Sequence, residues 1–310
     1  VRLLRHGVLS AVLLGLSSLA QADITVMDFP LRDADRNRDI PLKAYLPEGE
    51  GPFPVIVFSH GAGGSKDGYA YLGTYWAKHG YVCLNPTHLG SDTGKLEPGR
   101  PLKNLLAVKT MVEDPAQFEA RIQDVRYIIN QLPTLAAQLP GMAGKMDTAH
   151  IGVAGHSFGA STALALAGAR VTQPDGQVRD HSDPRPAAFI ALSPQGPNQG
   201  LFQDGSWAQI NRPVFVITGT LDRGLDGSPW TERRKVYEGL PPGDKVLAVF
   251  RGASHLDFAD VFEKTALDRR VEQMTLAWWD YTLKGQAQFK ATLLQGLPQA
   301  YGNAVHVHSK

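Results

Sequence analysis

Cysteine is almost missing: Cys83 is the single one in 310 residues. That excludes an intramolecular disulfide and any zinc cage built on cysteines, and a lone one reads as a small buried hydrophobe. An excess of charge of either sign is also lacking. Lys+Arg 31 stand against Asp+Glu 30 with no run of like charges, which argues against nucleic acid as a partner. Long apolar runs are absent too. The stretch over residues 8–19 is too short to cross a bilayer as a stable helix, so no stable membrane insertion is expected. Glycine and proline, by contrast, are plentiful at 32 and 21, and 43% of the residues are hydrophobic. The first excludes a coiled coil and the second a disordered chain. What remains is a globular α/β protein, long enough for one large domain or two small ones.

Arg2 and Arg5 precede the 8–19 run, which closes on Ala20-Gln21-Ala22. A positive start, a short apolar segment and small residues at an A-x-A site predict a secretory leader over residues 1–22. The expected product is exported, periplasmic or secreted, with a single domain over residues 23–310.

From Asp23 onward there is no internal repeat and no low-complexity linker. Short apolar runs alternate with helix-length amphipathic stretches, the pattern of a mostly parallel sheet covered by helices. Residues 24–29 and 41–46 predict an antiparallel N-terminal hairpin. Strands are expected at 55–58, 81–84, 151–154, 187–192, 214–217 and 246–250, several of them apolar throughout, as in strands buried on both faces. Helices are expected over 71–79 and 118–132. A last helix over 261–283 carries Trp278 and Trp279, expected to pack on the sheet. Between 90 and 115, Gly94, Pro98, Gly99 and Pro101 are expected to break any long element, leaving an irregular excursion that could cap a pocket.

Gly155-His156-Ser157-Phe158-Gly159 fits G-x-S-x-G. At this glycine content the five-residue pattern alone is weak; its context is not. A strand leads in and a small-residue helix leads out, so Ser157 stands at a strand-to-helix elbow, its hydroxyl exposed above the sheet. The Phe158 N–H then lies at a helix N-terminus, where the dipole favours an anion. Ser59-His60-Gly61-Ala62-Gly63-Gly64 follows the 55–58 strand as a glycine-rich turn. It fits neither the phosphate-loop nor the dinucleotide spacing. The Ala62 and Phe158 amides are the expected oxyanion donors, and His60 is expected to be a structural hydrogen-bonder beneath the loop.

In this order of elements an acid and then a histidine follow the serine. Asp222 lies just past the 214–217 strand, with Asp226 as fallback and Asp204 behind it. His255, His306 and His308 are the histidines after Asp222. His255 follows the 246–250 strand and is the expected base, while His306 and His308 are expected in a solvated, patternless tail. Tyr69, His88, Gln195 and Trp230 fall near the carboxyl ends of strands and are expected to line a pocket, as scaffold or as substrate contacts. No metal-binding spacing is present, and no cofactor or metal is required.

With these residues assembled, the chain resembles the α/β-hydrolase superfamily. Within it the chain is most similar to dienelactone hydrolase-like and platelet-activating-factor acetylhydrolase-like serine esterases. The resemblance runs through Ser59–Gly64, Gly155–Gly159 and Gly219–Asp222 to His255. It implies a mostly parallel central sheet with an antiparallel N-terminal hairpin and helices on both faces. It also implies hydrolysis of a small carboxylic ester through an acyl-enzyme on Ser157. Dienelactone hydrolases carry cysteine where this chain has Ser157, which favours ordinary esters. In animal acetylhydrolases the acid follows an earlier strand; here that stretch, Ala191-Leu192-Ser193-Pro194, has no carboxylate, which returns the role to Asp222. Bacterial polyester hydrolases are also similar, but commonly hold a disulfide this chain cannot form. Polyester depolymerisation, amide or peptide hydrolysis and a non-catalytic binding module stay open, and no protein partner is legible.

Overall fold

A computed structural model describes residues 23–259, 261 and 265–310; the leader expected over 1–22 lies outside the described residues. The strands are β1 (Ile24–Asp33), β2 (Arg38–Pro47), β3 (Phe53–Ser59), β4 (Val82–Pro86), β5 (Met146–His156), β6 (Arg170–Thr172), β7 (Val178–Asp180), β8 (Pro186–Leu192), β9 (Val214–Leu221), β10 (Lys245–Ser254) and β11 (Val305–Ser309). The helices are α1 (Ala70–Lys78), α2 (Pro101–Glu113), α3 (Pro115–Gln138), α4 (Phe158–Ala167), α5 (Thr231–Gly239) and α6 (Ala266–Thr282), followed by the short α7 (Gln288–Ala291) and α8 (Leu297–Tyr301).

Among the described residues, nine strands form one sheet in the order β1-β2-β4-β3-β5-β8-β9-β10-β11. The six from β4 to β10 are parallel. The hairpin β1–β2 joins antiparallel at one edge, with Phe29 opposite Leu42, and β11 at the other. Alternation along the strands decides the layers. Val55, Val57, Val153, Phe189, Val214 and Val216 face a core shared with α3 and α4. Ile56, Phe58, Ile190, Phe215 and Ile217 face the opposite core, closed by α1 and α6 with Trp76, Trp278 and Trp279. Helices thus cover both faces, the α/β-hydrolase arrangement. No described helix is long and apolar enough to cross a membrane.

Four local expectations are corrected. Residues 90–115 are not without a long element: α2 runs for 13 residues, and Pro101 opens it because a first-turn proline lacks only an N–H that would go unpaired anyway. Helix α3 does not end at Leu132 but continues through Pro133 to Gln138. The 261–283 helix is not the last element. His306 and His308 sit on β11, opposite Val249 and Leu247, rather than in a patternless tail. Their side chains are exposed on that edge while Val305 is buried, which is the alternation a strand demands.

Candidate active site

Four strand ends build the site, all at the carboxyl edge of the parallel sheet, where α/β proteins place their ligands. Chain leaves β3 into the glycine loop, β5 into Ser157, β9 into Asp222 and β10 into His255.

The elbow is tight for a steric reason. A β-carbon on Gly155 would lie 2.2 Å from the Gly159 carbonyl oxygen, and one on Gly159 only 1.9 Å from that of Ser59. Neither approach is possible for any other residue, so α4 can fold back directly over β3 and β5. Ser157 pays with φ 54° and ψ −117°, strained backbone for a residue with a side chain. Its N–H donates to Leu192 O at 2.9 Å, which ties the turn to β8.

Asp222 is fully buried, and its carboxylate is held from three sides. His255 Nδ1 approaches Oδ1 at 2.9 Å, Thr218 Oγ1 donates to Oδ2 at 2.9 Å, and Arg233 Nε lies 2.7 Å from Oδ1. Burial alone would raise the Asp222 carboxyl. The His255 bond and the Arg233 charge outweigh it and hold it below the usual carboxylate value. Burial lowers His255 first; the bond to Asp222 opposes that shift and the Arg233 charge adds to it, so the net result is a lowered imidazole. It therefore stands neutral near pH 7, able to accept a proton. Asp226, the fallback, instead accepts from the Ser228 N–H at 3.0 Å.

Ser157 and His255 line one cavity of about 880 Å³, together with Ala62, Tyr69 and Gln195. Helix α2 contributes Leu105, Val108 and Val112 to its wall, and Leu225 and Leu256 line it as well. Tyr69, itself at φ 61°, closes a chain of bonds under the site. The Gly61 N–H donates to Tyr69 Oη at 3.2 Å, and Oη lies 2.8 Å from His156 Nδ1. His156 Nε2 meets the His255 carbonyl at 3.1 Å. A carbonyl accepts only, so Nε2 carries the proton and Tyr69 donates to Nδ1. Gln195 accepts the Ser161 hydroxyl on Oε1, which turns its amide nitrogen to the other side.

Two expected pocket residues lie elsewhere. His88 is fully buried between Ser59 Oγ at 2.9 Å and Asp124 Oδ2 at 3.0 Å, because the loop after β4 first turns beneath the glycine loop and reaches the cavity only further on, at Thr93 and Leu96. Trp230 packs against the α3 and α4 core at the start of α5. His60 does lie beneath its loop, Nδ1 bonded to Gly61 O at 2.6 Å and Nε2 accepting the His88 N–H at 3.0 Å.

Sequence reasoning missed Arg233 and Arg121. Arg233 shares the buried stripe of α5 with Val236 and Tyr237. Arg121 shares that of α3 with Phe118, Ile122 and Val125. A charged residue in phase with an apolar stripe was the available signal, since such a side chain must find partners inside.

The sheet, the elbow and the order of serine, aspartate and histidine along the chain are those of the α/β-hydrolase fold. The chain's similarities support a place among the superfamily's serine esterases. A family model described as platelet-activating factor acetylhydrolase, isoform II, matches residues 12–93. Platelet-activating factor acetylhydrolase of Bos taurus is 23% identical over 70% of this chain and 50% of its own length. Cutinase est2 of Thermobifida alba is 23% identical over 76% of this chain and 61% of its own. Cutinase 2 of Thermobifida cellulosilytica is 21% identical over 81% and 77%. The chain thus spans half of the bovine enzyme and about three-fifths of the T. alba cutinase.

Proposed function

We propose that the chain is an exported serine carboxylesterase acting on small carboxylic esters. The observation that carries this reading is the buried Asp222 bonded at 2.9 Å to His255 on the rim of the cavity that Ser157 also lines. In this mechanism His255 Nε2 takes the Ser157 proton while the alkoxide attacks the ester carbonyl. The oxyanion forms at the Ala62 and Phe158 amides, and the His255 imidazolium protonates the leaving alcohol. Water then repeats the sequence on the acyl-enzyme and releases the acid. Asp222 holds the Nδ1–H tautomer and stabilises the imidazolium. The amide pattern supports the donors. Gly61, Gly63 and Gly64 N–H are each bonded within the fold, whereas the Ala62 and Phe158 N–H have no acceptor among the described residues. Export rests on the leader pattern over 1–22, and residues 90–115 act in this reading as the cavity's cap through α2.

A panel of p-nitrophenyl esters from acetate to palmitate, run beside Ser157→Ala, tests the reading. Hydrolysis that vanishes in the variant supports it. Hydrolysis that persists, or a wild-type protein that a fluorophosphonate leaves unlabelled, overturns it. Polyester cleavage is a second reading, favoured by the similarity to cutinases and by the apolar Leu105, Leu225 and Leu256, each exposed at the cavity. Release of soluble monomer from a polyester film distinguishes it.

A further inference from the structure

Beneath the glycine loop lies a cation with no carboxylate against it. Arg121 is fully buried on α3, and among the described residues it forms no ion pair. Asp124 is reached only through Ser59 and His88. Its guanidinium instead collects neutral acceptors: His60 O at 2.6 Å, Gly61 O at 3.3 Å, Ser91 O at 3.3 Å and Ser91 Oγ at 2.8 Å. The guanidinium carbon also lies 4.4 Å from the centre of the Phe158 ring. Burial pulls this arginine down to about 9. Such a placement is costly for stability, so a geometric role for it is the natural question.

The Gly61 carbonyl answers it. Three donors converge on that oxygen: His60 Nδ1–H at 2.6 Å, Gly64 N–H at 3.0 Å and Arg121 Nη2 at 3.3 Å. His60 can donate there because its Nε2 is already an acceptor for the His88 N–H, and burial keeps the ring neutral. The Gly61–Ala62 peptide is not cis, and in a trans peptide the C=O and the next N–H point in opposite directions. With the oxygen turned to the buried side, the Ala62 N–H is turned toward the cavity that Ala62 lines. A flipped peptide would break three bonds and aim its N–H at the imidazole N–H and the guanidinium, donor against donor. We propose that His60 and Arg121 are positioning residues that lock the Gly61–Ala62 peptide in the orientation an oxyanion needs.

This rests on the serine-esterase reading above. The two fail separately, because the wild-type protein must first hydrolyse p-nitrophenyl butyrate and lose that activity in Ser157→Ala. The variants are Arg121→Lys, which keeps charge but loses the fork, His60→Gln, which moves the amide away from the Nδ1 position, and His60→Asn, which retains a donor there. Arg121→Lys and His60→Gln are expected to lower kcat about 10²-fold, as loss of one oxyanion donor does, with KM little changed. Binding of a trifluoromethyl ketone, whose adduct carries the oxyanion, should weaken by the same factor. His60→Asn should recover most of the loss. A wild-type measurement needs no variant to fold: on forming the ketone adduct, the Ala62 amide proton should move downfield in the NMR spectrum. An unmoved Ala62 proton overturns the proposal. So does a folded Arg121→Lys or His60→Gln protein with wild-type kcat, or one whose loss lies entirely in KM.

Discussion

In the proposed mechanism His255 works only when its imidazole is neutral, and three neighbours set where that happens. Burial disfavours the imidazolium, Asp222 at 2.9 Å favours it, and the Arg233 cation on the same carboxylate disfavours it again. The balance lies below the ordinary histidine value, so kcat/KM should fall as pH drops through a midpoint below 6.5 and be flat above it. Arg233 also caps the Asp222, Ser193, Pro194 and Arg223 carbonyls. Arg233→Met removes the cation that opposes protonation. Its acid limb should therefore move to higher pH, along with a loss of stability from the four uncapped oxygens. The profile is read with p-nitrophenyl butyrate from about pH 4 to about pH 9. A limb that stays in place or moves to lower pH would show that Arg233 does not tune the base.

Among the elements, those with a strong pattern were legible and those set by tertiary partners were not. The apolar runs of β3, β8, β9 and β10 announce strands buried on both faces, and the small residues after Ser157 announce α4. Helix α2 was not legible, because Gly94, Pro98, Gly99 and Pro101 read as breakers while only Pro101 touches the helix, at a position that tolerates it. The last turns of α3 escaped because a proline inside a helix ordinarily stops it. Strand β11 escaped because five residues with exposed histidines carry little signal until β10 offers an edge. In the site, Ser157, Asp222 and His255 stand at strand ends that the sequence announces, whereas His88 could not be told from a pocket residue without knowing that its loop turns inward. The α2–α3 junction yields a prediction of its own. Asp114 ends α2 and caps α3, accepting the Ala116 N–H at 2.8 Å ahead of Pro115. Asp114→Ala should cost about 1 kcal/mol, read as a lower urea midpoint. An unchanged midpoint would mean that packing alone holds the start of α3.

Across the whole molecule, the site concentrates groups that folding keeps from protonating. His60, His88 and His156 are buried around the glycine loop and the elbow. Burial lowers all three, His88 to about 4. In the unfolded chain each returns to about 6.5. Below that pH the unfolded state therefore binds more protons than the folded one, and stability must fall as pH falls. The loss begins near the unfolded value and for His88 ends near 4, where the folded ring also protonates. Each group contributes up to about 1.4 kcal/mol per pH unit within its window. Asp124 extends the same trend further down. Burial raises its carboxyl, but the bonds from His88 and Arg38 outweigh that and hold it at about 2, so its stabilisation is full above the unfolded carboxylate value and disappears as pH falls toward 2. His255 and His181 are lowered by burial as well and add to the same trend. Urea unfolding at a series of pH values should thus show a plateau near neutrality and a decline between about pH 6.5 and about pH 5 with a slope of at least two protons. A flat stability across that interval would mean that these histidines are protonated in the folded protein, and with it the neutral, donor-ordered network beneath the glycine loop would be lost.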